Sequence, residues 1–422
     1  MREIIYEQID EALYETTLTN GLKLFLIPKK GFQKTYVTLT TRYGSLHNQF
    51  VPFNETQMIK MPEGIAHFLE HKMFEKEDGD MFNSFSVNGA SANAFTSYDR
   101  TSYLFTAIDH VEENIKLLLK MVQEPYFSKE SVEKEIGIIA EEIQMYQDQP
   151  NYRLYYQTLQ GLYHHHPVKE DIAGSIASIN EITADKLYSC YHTFYRPENM
   201  VMFIVGNINP EEIAQIVEDN QYTTDDTTYF PETAVINEPS SIHEATLIQS
   251  ADVQQPKMML AIKTELHQRE QSLIKTELEV SFILDLLFGE QTEFYQELLA
   301  DDLIDDTFGY NFTLEPTFSH IFIAGSTKQP DALKERIMER LSAKAFKEDD
   351  FNRLVKQTIG EYISSLNSPE YIANQFTRYY FNDAVLFDIL PLLETLTLAD
   401  SLKTFETIDV TNMTDSRLIP NG

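Results

Sequence analysis

His67, Glu70 and His71 fall within one run of five residues, His67-Phe68-Leu69-Glu70-His71. At about 100° per residue, positions i, i+3 and i+4 of a helix share an arc of about 100°. Both imidazoles then reach one metal ion, and Glu70 sits beside them, within reach of a water bound to that ion. The order H-x-x-E-H reverses the commoner H-E-x-x-H arrangement of zinc peptidases. Pro62-Glu63-Gly64 is a plausible helix start, and Ala66, Phe68, Leu69 and Met73 place apolar faces around the charged one. Polar groups this close to an apolar surface need partners, and a metal is one such partner. An amphipathic helix with two satisfied surface histidines is the plainer alternative.

A catalytic zinc takes three protein ligands and keeps one position open for water. The third donor is expected in the stretch from Ser131 to Tyr146. There Val132, Ile136, Ile139 and Ile143 follow i, i+4, i+7, i+11 and predict a helix with one buried stripe. Measured from that stripe, Glu141 lies about 170° away, facing solvent, whereas Glu135 and Glu142 lie about 70–90° away on one shared flank. Glu142 is therefore the expected third ligand. Glu135, about two turns earlier, is the expected supporting carboxylate, able to orient a ligand histidine. Glu133 and Glu141 read as ordinary acids of a solvated face. The chemistry expected of this set is hydrolysis: zinc lowers the pKa of bound water to about 7, and Glu70 takes the proton and delivers it to the leaving amine.

The H-x-x-E-H run, followed by Asn88-Gly89-Ala90-Ser91-Ala92-Asn93-Ala94-Phe95-Thr96-Ser97 and then by the Glu135…Glu142 helix, resembles the pitrilysin or inverzincin metallopeptidases. That family includes insulin-degrading enzyme and the β subunit of mitochondrial processing peptidase. The likeness starts at Thr19-Asn20-Gly21-Leu22-Lys23, continues through Tyr195-Arg196-Pro197-Glu198-Asn199-Met200, and weakens in the second half. It is nearest to the half-length bacterial members. The resemblance implies that His67, His71 and Glu142 hold one zinc ion per chain, that Glu70 is the general base, and that Glu135 supports the site. It also implies that Asn93 and Ala94 lie on an edge strand that pairs with the substrate backbone. The residues themselves agree: Ala92–Phe95 is rich in small side chains, and Tyr103-Leu104-Phe105 makes a good neighbouring strand, so a peptide can add by backbone hydrogen bonds. An ordinary edge strand is the bland reading.

Family enzymes often place an Arg and a Tyr from the second half over the substrate carbonyl. Tyr310 aligns with that Tyr as a catalytic candidate, but no Arg stands between Leu298 and Tyr310. A partner chain is one source for the missing group. Two classes of function follow: a zinc endopeptidase acting on peptides or unfolded segments, and a non-proteolytic scaffold or assembly subunit that retains the fold. The intact ligand set and base favour the first. A half-length chain should not enclose a substrate alone, so a homodimer or a heterodimer with a related chain is expected.

The chain has 422 residues, 42% of them hydrophobic, enough for large cores and at least two domains. Cys190 is its one cysteine, which excludes an intramolecular disulfide and fits a reducing compartment. It sits in Leu187-Tyr188-Ser189-Cys190-Tyr191, which reads as a packed helix. The first residues, Met1-Arg2-Glu3-Ile4-Ile5-Tyr6-Glu7, hold no apolar signal-peptide core, and no apolar run nears the roughly 20 residues of a membrane span. A cytoplasmic protein without membrane insertion is expected. The net charge of −33 argues against nucleic acid and anionic membranes, which would be repelled. Solubility and attraction of basic peptides both fit it.

The expected fold class is α+β. Two similar domains, each a mostly antiparallel sheet packed with helices, would form half of a clamshell, as in the family. The division is 1–220 for the zinc-binding domain, 221–241 for a polar linker and 242–422 for a non-catalytic domain of similar order. Strands are predicted at 22–27, 35–39, within 92–107 and at 200–205, with helices near 110–122, 130–146 and 151–163. The second half restarts with a strand at 258–263, helices near 270–288 and 292–300, a hairpin around 310–326, and helices near 330–342, 348–366 and 368–379. His164-His165-His166 precedes Pro167 in a predicted loop, and three consecutive side chains cannot easily share one ion.

Overall fold

The computed structural model describes residues 1–77, 79–222, 229–268, 272–342 and 346–421. They form two compact units, each assembled from separated stretches of chain. The first holds Met1–Ile143, Glu170–Val235 and Ser365–Phe381; the second holds Gln144–Lys169, Ile236–Ser364 and Asn382–Gly422.

The first unit carries a seven-stranded sheet. Its order is Arg2–Tyr6, Glu11–Thr17, Lys23–Pro28, Met200–Gly206, Thr35–Thr41, Thr101–Ala107, Ser91–Thr96. All neighbours are antiparallel except Met200–Gly206, which runs parallel to Lys23–Pro28. Successive side chains alternate between the two faces of a strand. Leu24, Leu26, Met202 and Ile204 accordingly join a core with Phe68, Leu69, Ile115, Leu118 and Ile139. Phe25 and Phe203 point to the other face, where the ring of Phe376, on helix Pro369–Phe381, lies 4.9 Å from each.

The second unit carries a five-stranded sheet in the order Thr246–Ala251, Met413–Pro420, Lys257–Thr264, Phe318–Ser326, Gly309–Glu315. Only Thr246–Ala251 and Met413–Pro420 are parallel. Helix Pro150–Leu162 belongs to this unit. Its Gln157 Nε2 donates to Leu247 O at 3.1 Å and to Ser416 Oγ at 2.8 Å.

One topology serves both units. The five strands that begin with Lys23–Pro28 and the five that begin with Thr246–Ala251 occur in the same order. In each, the last strand along the chain is inserted between the first and second and runs parallel to the first. The similar order of elements expected for the two halves is thus an explicit repeat of fold.

Compactness does not follow chain order. Helix Pro150–Leu162 packs in the second unit and helix Pro369–Phe381 in the first, an exchange for which the linear division into 1–220, 221–241 and 242–422 has no room. Part of the expected linker, 223–228, lies outside the described residues. Tyr229–Val235 is tied to the first unit: Val51 N donates to Glu232 O and Ala234 N to Gln49 O, both at 2.9 Å. Glu238 is tied to the second, where its carboxylate accepts the backbone N–H groups of His164, His165 and His166 at 2.7–2.8 Å and is paired with Lys263. The rings of His164 and His166 take separate partners. His164 Nε2 faces Ile242 O at 3.0 Å and His166 Nε2 faces Thr317 Oγ1 at 3.2 Å. Cys190 is buried in helix Ala184–Phe194. No helix among the described residues is long and apolar enough to cross a membrane.

Candidate metal centre

Helix Ile65–Lys72 begins at Gly64, whose φ of 87° is left-handed. A Cβ there would lie 2.4 Å from Ala173 O, so glycine is required both for the backbone angle and for the close approach. Ser178 Oγ donates to Glu63 O at 2.8 Å and holds the same junction. Phe68, Leu69 and Met73 anchor the helix in the core, each fully buried. With that face fixed, His67, Glu70 and His71 must turn toward the opposite wall.

That wall is helix Lys129–Gln147. Val132, Ile139 and Ile143 are buried and Ile136 half-buried, so the expected stripe faces the core. Glu133 and Glu141 are exposed, and Glu135 and Glu142 are half-buried. His67 Nε2 lies 3.8 Å from Glu142 Oε1, and His71 Nε2 lies 3.6 Å from Glu142 Oε2. One donor atom from each of His67, His71 and Glu142 falls within 4.8 Å of the others. These separations are too long for hydrogen bonds. Two ligands about 2.0–2.2 Å from a tetrahedral ion stand roughly 3.3–3.5 Å apart. Glu142 Oε2 is buried and accepts no hydrogen bond, and His67 Nδ1 is likewise buried without a partner. A buried carboxylate oxygen facing imidazole nitrogens at this spacing fits a divalent cation, and the donor set, two nitrogens and one oxygen, suits zinc.

His71 Nδ1 lies 3.0 Å from Glu135 Oε1. A proton on Nδ1 donated to that carboxylate leaves the Nε2 lone pair directed at Glu142 and the shared point. Burial, with His71 beside it, pushes the His67 imidazole down to about 3, so it is neutral and ready to coordinate near neutrality. Burial also works against the charged form of His71, but the Glu135 hydrogen bond and the charges of Glu70, Glu135 and Glu142 hold it above its usual value. Burial pushes the Glu70 carboxyl up, opposed by a hydrogen bond from Thr96 Oγ1 to Oε2 at 2.6 Å and by His71.

A pH dependence follows. Protonated His71 cannot bind a metal. Its elevated pKa means that protons compete at a higher pH than for an ordinary histidine, so affinity is full above that value and falls as pH drops through it, by about tenfold per unit. Zinc titrations against a chromophoric chelator at about pH 8 and about pH 6 measure the drop; equal affinity at both would contradict the arrangement.

Ser91–Thr96 is an edge strand of the first sheet, with Ala94 opposite Tyr103 and Asn93 opposite Leu104. Ala94 N–H donates to Asn93 Oδ1 at 2.9 Å, so an added peptide strand must displace that side chain to reach the amide. Tyr310 lies in the second unit, on the edge strand Gly309–Glu315, and its hydroxyl donates to Asp285 Oδ1 at 2.7 Å. Burial and Asp285 both raise the Tyr310 pKa. Donation to an oxyanion would require breaking that bond. Sequence alone does not single out Thr96; a hydroxyl at the end of a small-residue strand carries no pattern by itself.

The two units share one strand order, and the first alone brings a His-His-Glu group together among the described residues. Residues 55–175 match the family model Insulinase (Peptidase family M16), and residues 181–358 match the Peptidase M16 inactive domain. The chain belongs to the M16 family of insulinase- and pitrilysin-type proteins. It is 44% identical over 430 aligned positions to the uncharacterized zinc protease YmfH of Bacillus subtilis (strain 168), covering 100% of both chains. An M16-like protein of Alicyclobacillus acidocaldarius, solved by crystallography, superposes with a TM-score of 0.92 at 35% identity, over 97% of this chain and 99% of that one. Pitrilysin shares the fold at a TM-score of 0.75 and 14% identity; all of this chain aligns with 46% of pitrilysin. The chain thus spans about half the length of pitrilysin.

Proposed function

We infer that the chain is a zinc-dependent endopeptidase that hydrolyses peptides or unfolded segments. The convergence of His67, His71 and Glu142, with Glu70 alongside, supports this reading most directly. Those three residues would hold zinc, which when bound would activate a water molecule and polarise the scissile carbonyl. Glu70 accepts the proton of the attacking water and hands it to the leaving amine, a task suited to a carboxylate whose pKa is raised by burial. Thr96 engages Oε2, so Oε1 is the atom assigned to the transfer. Glu135 keeps the His71 ring in place by holding its Nδ1 proton. The edge strand around Asn93 and Ala94 binds the substrate backbone by strand addition. Tyr310 is assigned no step while its proton is given to Asp285.

In this reading the protein works in the cytoplasm, as a homodimer or beside a related chain, because one half-length chain offers one half of the enclosure. The test is to incubate the purified, zinc-replete chain with a mixed peptide pool and read the cut sites by mass spectrometry, with chelator and metal re-addition as controls. Chelator-sensitive cleavage restored by zinc supports the peptidase. Bound zinc without any cut, alone or with a related chain, favours the scaffold alternative.

A further inference from the structure

We propose that Thr96 is a positioning residue that ties the substrate-binding strand to the general base, a role that rests on the peptidase reading above. Thr96 ends the edge strand Ser91–Thr96, two residues beyond Ala94 and on the same face of the strand. Its Oγ1 donates to Glu70 Oε2 at 2.6 Å. The direction of that bond is set by its neighbours. Thr101 Oγ1, 3.4 Å from Thr96 Oγ1, gives its own proton to Tyr43 O at 2.8 Å, and a carboxylate oxygen can only accept.

The consequence is geometric. A peptide added along this strand takes its register from the backbone at Asn93 and Ala94. The carboxylate that must meet the attacking water is fixed to the end of the same strand by one short bond. Strand and base therefore move together, and Oε2 is held while Oε1 is left for proton transfer. The second unit makes the same kind of link between helix Leu273–Phe288 and its own edge strand, where Tyr310 donates to Asp285. There the carboxylate faces no ligand set among the described residues. Tyr310 stands near the start of its strand and Thr96 at the end of its own, so the two bonds occupy different positions of the repeat, and only the one in the first unit falls on the catalytic carboxylate.

Thr96→Val keeps the branched shape and removes the donor, and Thr96→Ser keeps the donor. A misplaced base costs on the order of 10²-fold in rate. The expected result for Thr96→Val is a kcat lowered about 10–100-fold, with KM and zinc affinity unchanged; Thr96→Ser should restore most of the rate. Crystal structures of both variants give a readout that needs no turnover, with the Glu70 carboxylate displaced in Thr96→Val and kept in Thr96→Ser. A Thr96→Val protein with wild-type kcat and an unmoved Glu70 overturns the proposal. So does a loss confined to KM or to zinc binding. A wild-type chain that binds zinc and cuts no peptide would instead overturn the peptidase reading, while the Glu70 displacement would still report on the link.

Discussion

Glu70→Gln is expected to stop peptide hydrolysis while leaving zinc in place. The amide matches the carboxylate in shape, and its oxygen can still accept the Thr96 hydroxyl, so the helix and the three donor residues keep their positions. What disappears is an atom able to take a proton. General-base removal costs typically about 10²–10⁴ in rate. The measurement is kcat on a quenched peptide beside metal content by mass spectrometry. Turnover at the wild-type rate by a metal-replete Glu70→Gln protein would sink the assignment of Glu70, whatever the metal does.

The second large effect separates Glu142 from Glu135, two acids of the same helix with different positions. Glu142 faces both Nε2 atoms at 3.6–3.8 Å, whereas Glu135 reaches only the back of His71, at Nδ1. Loss of an outer partner of this type costs about 10–100-fold in metal affinity, so Glu135→Gln should fall in that range. Glu142→Ala removes one of three ligands and should weaken zinc by more than about 100-fold. Competition titrations of the two purified variants settle the order. If Glu135→Gln were the more damaging change, the two roles would have to be exchanged.

Much of this site is legible in the amino-acid sequence because helical geometry makes local spacing informative. H-x-x-E-H states its own arrangement, and the stripe of Val132, Ile136, Ile139 and Ile143 is enough to separate Glu142 and Glu135 from Glu133 and Glu141. The pieces that escape are those whose environment is supplied from far along the chain. Met413–Pro420 reads MTDSRLIP and looks polar, yet it lies inside the second sheet. Its charges are neutralised where they lie: Arg417 makes two hydrogen bonds to Asp415, at 2.7 and 2.8 Å, and Asp415 is also 3.0 Å from Lys334. Arg2–Tyr6 and Glu11–Thr17 give a weak strand signal because they lie at the far edge of the first sheet, where the acids break the apolar pattern: Glu3 is exposed, Glu15 is half-buried, and Glu11 is buried against Lys29. The bond from Thr96 to Glu70 spans 26 residues and needs a third dimension to be seen.

The exchanged helices have a consequence for biosynthesis. While a ribosome is still translating the second half, the nascent first unit has its strands and its metal-binding helices, but the aromatic patch of Phe25 and Phe203 awaits Phe376. An N-terminal fragment ending near residue 220 would carry His67, His71 and Glu142 and still present that patch bare. Such a fragment should be prone to self-association, and the two halves of the polypeptide must mature together.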